Sequence, residues 1–283
     1  RDDFQIDAVT TGTGVTRADV GARNVLRLAR AGGRRLEVLA GESEPLESGA
    51  VFPEAWQRQA EELPGVRLPD VRRRPRGGGV AALLKRLHAS ETPVRILTLG
   101  PLTNIAVALR ADPRAAEKIG QLTVMGGAID VPGNAPENAT SPVAEWNMYL
   151  DPLAASIVFR SGIPVVLVPL DATNRVPIDR AFLRRFTRSR PTVLGGVVEE
   201  LLESAGPMID AHSYYAWDPL AAVAATDEGV IETRELAVDV VRLGEERGRI
   251  RLRDNEEPNA LVAYSASPQM FARLFFDALT RGR

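Results

Sequence analysis

The chain alternates short apolar runs with amphipathic stretches whose apolar positions recur every three or four residues. Gln5–Thr11 reads as a strand. A turn containing Gly12 and Gly14 follows, then a helix from about Arg17 to Ala31 with Val20, Leu26 and Leu28 among its apolar positions. Leu36–Ala40 reads as a second strand, Ala81–His88 as a helix and Val94–Leu99 as a strongly apolar strand. Pro101 and Thr103 open a helix carrying Ile105, Val107 and Leu109. Gln121–Met125 is the next strand, and a helix from Asp151-Pro152 leads to the strand Val165–Val168, closed by Pro169. This alternation predicts an α/β fold with a mostly parallel sheet and helices on both faces. Such sheets bind ligands outside the carboxyl ends of their strands.

Two stretches break the rhythm. Glu42–Gly79 is rich in Pro, Gly and charge, and it ends in an arginine cluster, Arg72-Arg73-Arg74-Pro75-Arg76. It reads as a solvated insertion at about 42–79; the alternative is a contact for an anionic ligand or a subunit, because clustered arginine suits phosphate. Gly126–Trp146, directly after a strand, is mostly Gly, Pro, Asn and Ser, and long loops of this kind tend to be functional. With no linker composition and no internal repeat, residues 1–283 read as a single domain.

Composition narrows the function more than the fold. With 35 basic and 37 acidic residues the formal net charge is -2, which speaks against a general nucleic-acid or membrane-surface binder. The absence of cysteine excludes thiolate chemistry and cysteine-ligated metals. His88 and His212 are too far apart in sequence to form a local metal pair. No apolar run reaches the roughly 20 residues of a membrane span. No secretion signal is visible in residues 1–283, and cytoplasmic is the default expectation.

Polar groups gather where strands end. They stand in Leu99-Gly100-Pro101-Leu102-Thr103-Asn104, in Met125-Gly126-Gly127-Ala128, in Ala144-Glu145-Trp146-Asn147, in Val168-Pro169-Leu170-Asp171-Ala172-Thr173 and in Trp217-Asp218-Pro219-Leu220. A rim of carboxylates, amides and a large aromatic suits a hydroxyl-rich ligand with a flat ring. Ordinary helix capping competes with this reading, since Asp112-Pro113, Asp151-Pro152 and Asp218-Pro219 all have the form of a helix start. Spacing alone does not separate a ligand-binding Asp218 from a cap.

In this order, from Leu99 to Leu220, these motifs resemble the inosine–uridine nucleoside hydrolases, and Ala8–Leu28 resembles the segment after that family's first helix. The resemblance implies a doubly wound α/β fold, a bound Ca2+ ion and hydrolysis of the N-glycosidic bond of ribonucleosides. It implies a small-molecule nucleoside as partner, with neither nucleic acid nor membrane, and a homodimer or homotetramer. Carried over by position, Thr103 would offer a backbone carbonyl and Asp218 a carboxylate to calcium. Glu145 and Asn147 would bind ribose hydroxyls, and Met125 would line the sugar pocket.

The chain also departs from the family pattern. The family opens with a strand and an Asp-x-Asp-x-x-x-Asp-Asp motif holding most calcium ligands and the general base. Asp2-Asp3 has neither the place nor the spacing of that motif, so the general-base aspartate is expected upstream of Arg1. The fold is then expected to lack its first strand–helix unit, ~25 residues by the size of such a unit. Deleting a central strand would leave unpaired backbone and apolar faces. Trp217 stands where many members carry a histidine that assists the leaving base; indole can stack on a nucleobase, and Tyr214, Tyr215 and His212 are the nearby proton-donor candidates. Thr11-Gly12-Thr13-Gly14 replaces Ala-Gly-Asn, and with Trp217 it marks a branch of the family. The competing readings are a non-catalytic member that binds a nucleoside-like ligand or acts through assembly, and a dinucleotide binder. The latter lacks the third glycine of its fingerprint.

Overall fold

The computed structural model describes residues 4–47, 50–72, 75–136, 142–189 and 191–280. In chain order its first half holds β1 (Val9–Thr11), α1 (Ala18–Ala31), β2 (Val38–Ala40), α2 (Glu54–Glu62), α3 (Gly79–Ala89), β3 (Val94–Thr98), α4 (Thr103–Ala111) and β4 (Ile119–Met125). Then follow α5 (Trp146–Leu150), α6 (Pro152–Phe159), β5 (Val165–Val168), α7 (Leu170–Thr173), α8 (Arg180–Arg188), α9 (Val193–Ser204), α10 (Gly206–Asp210) and α11 (Trp217–Ala224). The chain ends with β6 (Ile231–Leu236), β7 (Val238–Val240), β8 (Ile250–Leu252), β9 (Ala260–Ala266) and α12 (Pro268–Thr280).

The main sheet has five strands in the order β3-β4-β5-β9-β6. Its first four pair in parallel, and β6 closes the edge antiparallel to β9. All four residues of β5 are buried, and they divide between two cores. Val165 and Leu167 pack with Leu102, Ile105 and Phe159, while Val166 and Val168 pack with Phe186, Leu220 and Phe271. A strand buried on both faces must be apolar throughout, and Val-Val-Leu-Val is. The expected α/β architecture, a mostly parallel sheet under two helical layers, is the one observed. No described helix is long and apolar enough to cross a membrane.

Several local expectations need correction. The strand read over Gln5–Thr11 is only Val9–Thr11, because β2 offers just Val38–Ala40 as its partner. β1 and β2 form a two-stranded parallel sheet of their own, so the described strands do not make one continuous sheet. β3 is the edge of the main sheet, and Leu97 and Leu99 stay 37% and 41% exposed there. The 42–79 segment is not merely solvated. It contains α2, and Phe52 is buried in a small aromatic core with Trp146, its ring stacked at 4.3 Å. Of the arginine cluster, Arg73 and Arg74 lie outside the described residues. Arg67, upstream of it, is paired with Glu200 of α9.

Candidate functional site

The rim is built where β4 ends and α5 and α11 begin. Met125, the last residue of β4, is buried, and its carbonyl accepts from the Asn147 Nδ2 at 3.1 Å. Glu145 is also buried and caps α5. Its Oε2 accepts from the backbone N–H groups of Asn147 (2.9 Å), Met148 (3.3 Å) and Gly127 (3.0 Å). Gly127 sits at φ 86° and Gly126 at φ 154°, backbone that the pair of glycines after β4 adopts without Cβ strain. That turn bends the chain back so that Gly127 can reach the carboxylate. Three donors do not offset desolvation: burial raises the Glu145 carboxyl to about 7.

Asp218 faces the same region from α11, which packs on β4. Burial first and then the Glu145 charge raise its carboxyl to about 7. Like charges brought together in a poorly solvated pocket attract a proton or a cationic centre. Around Asp218 stand aromatic rings. Trp217 meets Tyr214 edge-on at 5.2 Å and Tyr215 at 6.0 Å. The Tyr214 phenol is pushed up by burial and then by the Asp218 charge, so it holds its proton. The segment bearing these rings is fixed by backbone bonds, Ile178 N–H to Tyr214 O and Ala216 N–H to Val176 O, each at 2.9 Å. His212 is exposed, at φ 54°. The structure thus groups Met125, Glu145, Asn147, Asp218, Trp217 and the two tyrosines, and leaves His212 on the surface.

Thr103 is held differently. It is buried at the start of α4, its hydroxyl donates to Asp151 Oδ2 at 2.7 Å, and its carbonyl belongs to the ladder of α4. Asp151 also accepts from Leu46 N–H (2.8 Å) and caps α6 through Ala154 N–H (3.1 Å). Among the described residues no cluster of three or more His, Cys, Asp or Glu side chains could hold a metal ion. Calcium takes six to eight oxygens. Asp218, with Glu145 tied to three N–H donors, falls well short, so the described residues do not by themselves fit the expected ion. Asp2, Asp3 and the expected general base lie outside the described residues.

Other rim residues were given no role by their sequence. Asp171 accepts from Ile129 N–H (3.0 Å) and Asp130 N–H (2.7 Å), fixing the loop after β4. Asn104 donates to Thr11 O (3.1 Å) and accepts from Glu42 N–H (2.8 Å), tying the ends of β1 and β2 to α4. Both lie inside motifs visible in the sequence; only their partners, far away in the chain, were hidden.

The model of the family described as inosine-uridine preferring nucleoside hydrolase matches residues 1–273. The chain belongs to that family. It is 31% identical to the pyrimidine-specific ribonucleoside hydrolase RihA of Salmonella schwarzengrund (strain CVM19633), over 98% of this chain and 90% of that protein. Among solved structures, a plant nucleoside hydrolase, PpNRh1, is 26% identical with a TM-score of 0.81, covering 98% of this chain and 91% of the other. The purine-preferring ribonucleoside hydrolase from Gardnerella vaginalis shares the fold at 24% identity and a TM-score of 0.83, over 96% and 89% of the two chains.

Proposed function

We propose that the pocket formed by the end of β4, α5 and the start of α11 hydrolyses the N-glycosidic bond of ribonucleosides, releasing ribose and the free base. The observation that carries this reading is the meeting of buried Glu145 with Asn147 and with partly buried Asp218, whose carboxyl is pushed up by burial and then by the Glu145 charge, next to the Trp217 and Tyr214 rings. Glu145 and Asn147 accept hydrogen bonds from the ribose hydroxyls. Asn147 is oriented for this because its Nδ2 is committed to Met125 O. Hydrolysis passes through an oxocarbenium-like centre at C1′, and the Asp218 carboxylate stabilises that positive charge.

In the reaction, water adds to C1′ as the C1′–N bond breaks and its electron pair moves to the base. Tyr214 donates a proton to the departing base nitrogen, and the proton lost by the attacking water passes to solvent, which reprotonates Tyr214. Trp217 stacks on the nucleobase, a contact of roughly 1–3 kcal/mol that any base can make. The relatives bear names as different as pyrimidine-specific and purine-preferring, so the chain's base preference does not transfer from them. No step is assigned to calcium.

The test is incubation of the protein with a panel of purine and pyrimidine ribonucleosides, with and without calcium. The expected outcome is reducing sugar released in equal amount to free base. No reducing sugar from any member of the panel, with calcium present, would overturn the proposal.

A further inference from the structure

We infer that the turn joining β7 and β8, centred on Arg247 and Gly248, is a positioning device that holds the substrate-binding carboxylate Glu145 in place. The inference builds on the site reading above. The Glu145 cradle has two walls, Gly127 after β4 and the first turn of α5, and the β7–β8 hairpin touches both. On one side, Ile250 of β8 packs so closely on Gly127 that a Cβ there would lie 2.9 Å from Ile250 Cγ1. On the other, Gly248 lies against α5. A Cβ at Gly248 would stand 2.6 Å from Tyr149 Cα, 2.9 Å from Tyr149 N and 3.0 Å from Ala144 Cβ.

Gly248 also has φ 84°, so the position favours glycine for two separate reasons. Its neighbour Arg247 donates from Nη2 to Tyr149 O at 3.2 Å and lays its guanidinium over the Tyr149 ring, 4.6 Å from the centroid. Arg247 Nε is buried without a partner among the described residues, so the side chain is held here against a desolvation cost. From the same turn Arg242 makes a paired contact with Glu47, at 3.0 and 3.1 Å. The hairpin therefore braces the back of a five-residue helix whose N-terminus is held by the Glu145 carboxylate and by Asn134 Oδ1, which accepts from Trp146 N–H at 3.1 Å. Displacing α5 by a fraction of an ångström moves Glu145 relative to Gly127 and opens the cradle.

Gly248→Ala and Arg247→Ala test this in the full-length chain, with Arg247→Lys as the conservative control. The first readout is amide hydrogen exchange at Gly127, Asn147 and Met148, whose N–H groups all bind Glu145. Both alanine variants should exchange at least about tenfold faster at these amides, while amides of β5 exchange as in the wild type. The KM for a ribonucleoside should rise about tenfold with kcat lowered less, as expected for an interaction shared by ground and transition states. Arg247→Lys should recover most of both. Unchanged exchange at the three amides in both alanine variants would overturn the inference. A wild-type chain inactive on every nucleoside would sink the functional proposal instead, and the exchange experiment would still decide this one.

Discussion

Asp151-Pro152 and Asp218-Pro219 are the same dipeptide at the start of a helix, and the structure treats them in opposite ways. Asp151 is completely buried, and its carboxylate takes three donors: Leu46 N–H, the Thr103 hydroxyl and Ala154 N–H. Asp218 lies inside the first turn of α11, caps nothing, and has no hydrogen-bond donor among the described residues. One carboxylate is satisfied by the fold; the other is left short of partners and facing a second carboxylate. A partly buried acid that folding leaves without donors is destabilising, and such groups are candidates for functional sites. What separates structure from function here is the set of partners, not the motif.

Removing each side chain should widen that contrast. Asp218→Asn keeps the shape and removes the charge; we expect kcat on a ribonucleoside to fall about a thousandfold, at the upper end for loss of one electrostatic stabiliser. Its Tm should not fall. A variant retaining more than a tenth of wild-type kcat would remove Asp218 from the mechanism. Asp151→Ala should do the reverse. It strands buried donors and a helix N-terminus, costing about 3 kcal/mol, or roughly 6–12 °C in Tm for a chain of this size. Activity per folded molecule should change far less than for Asp218→Asn, because Asp151 acts through Thr103 and Leu46. Tyr214→Phe isolates the proton donor: the ring contact with Trp217 remains, and kcat should drop about a hundredfold. The drop should be smaller for a base that leaves easily, and an equal loss for every base would argue for a packing role.

The sequence carried the centre of the molecule better than its margins. β5 stands out as a continuous apolar run because a strand covered on both faces has no polar side, whereas β3, at the edge of the sheet, leaves Arg95 and Leu97 exposed. The order of the strand-end motifs pointed to Met125, Glu145, Asn147, Trp217 and Asp218, which the fold brings to one rim. The sequence could not show that Glu145 is at once a helix cap and the buried partner of Gly127, since that needs the turn at Gly126-Gly127. Nor did it reveal β7 and β8. At three residues each, joined by a turn rich in charge, they give too short a period to read. Phe52 looked like part of a solvated insertion because its neighbours are polar, and only its stacking on Trp146 makes it core. That Asp218 lacks the donors Asp151 has could be read only from the folded chain.

The smallest effect in this comparison concerns Glu145, which belongs to both classes: it caps a helix as Asp151 does and is destabilised by burial as Asp218 is. Its carboxyl is raised from 4.5 to about 7, so between these values the folded protein binds more protons than the unfolded chain. Stability is therefore highest below pH 4.5 as far as this group is concerned, and is lost as pH rises through about 7. Glu145→Gln keeps an acceptor for the three N–H donors but cannot ionise. The Tm of the variant relative to wild type should climb by a few degrees from pH 5 to pH 8. In the same variant the Glu145 charge no longer raises the Asp218 carboxyl, so Asp218 ionises at lower pH. The ascending limb of residual activity against pH should shift downward with it. A Tm difference that stays flat across this range, with an unmoved pH profile, would mean that Glu145 is only a cap and that the two carboxylates do not share the pocket.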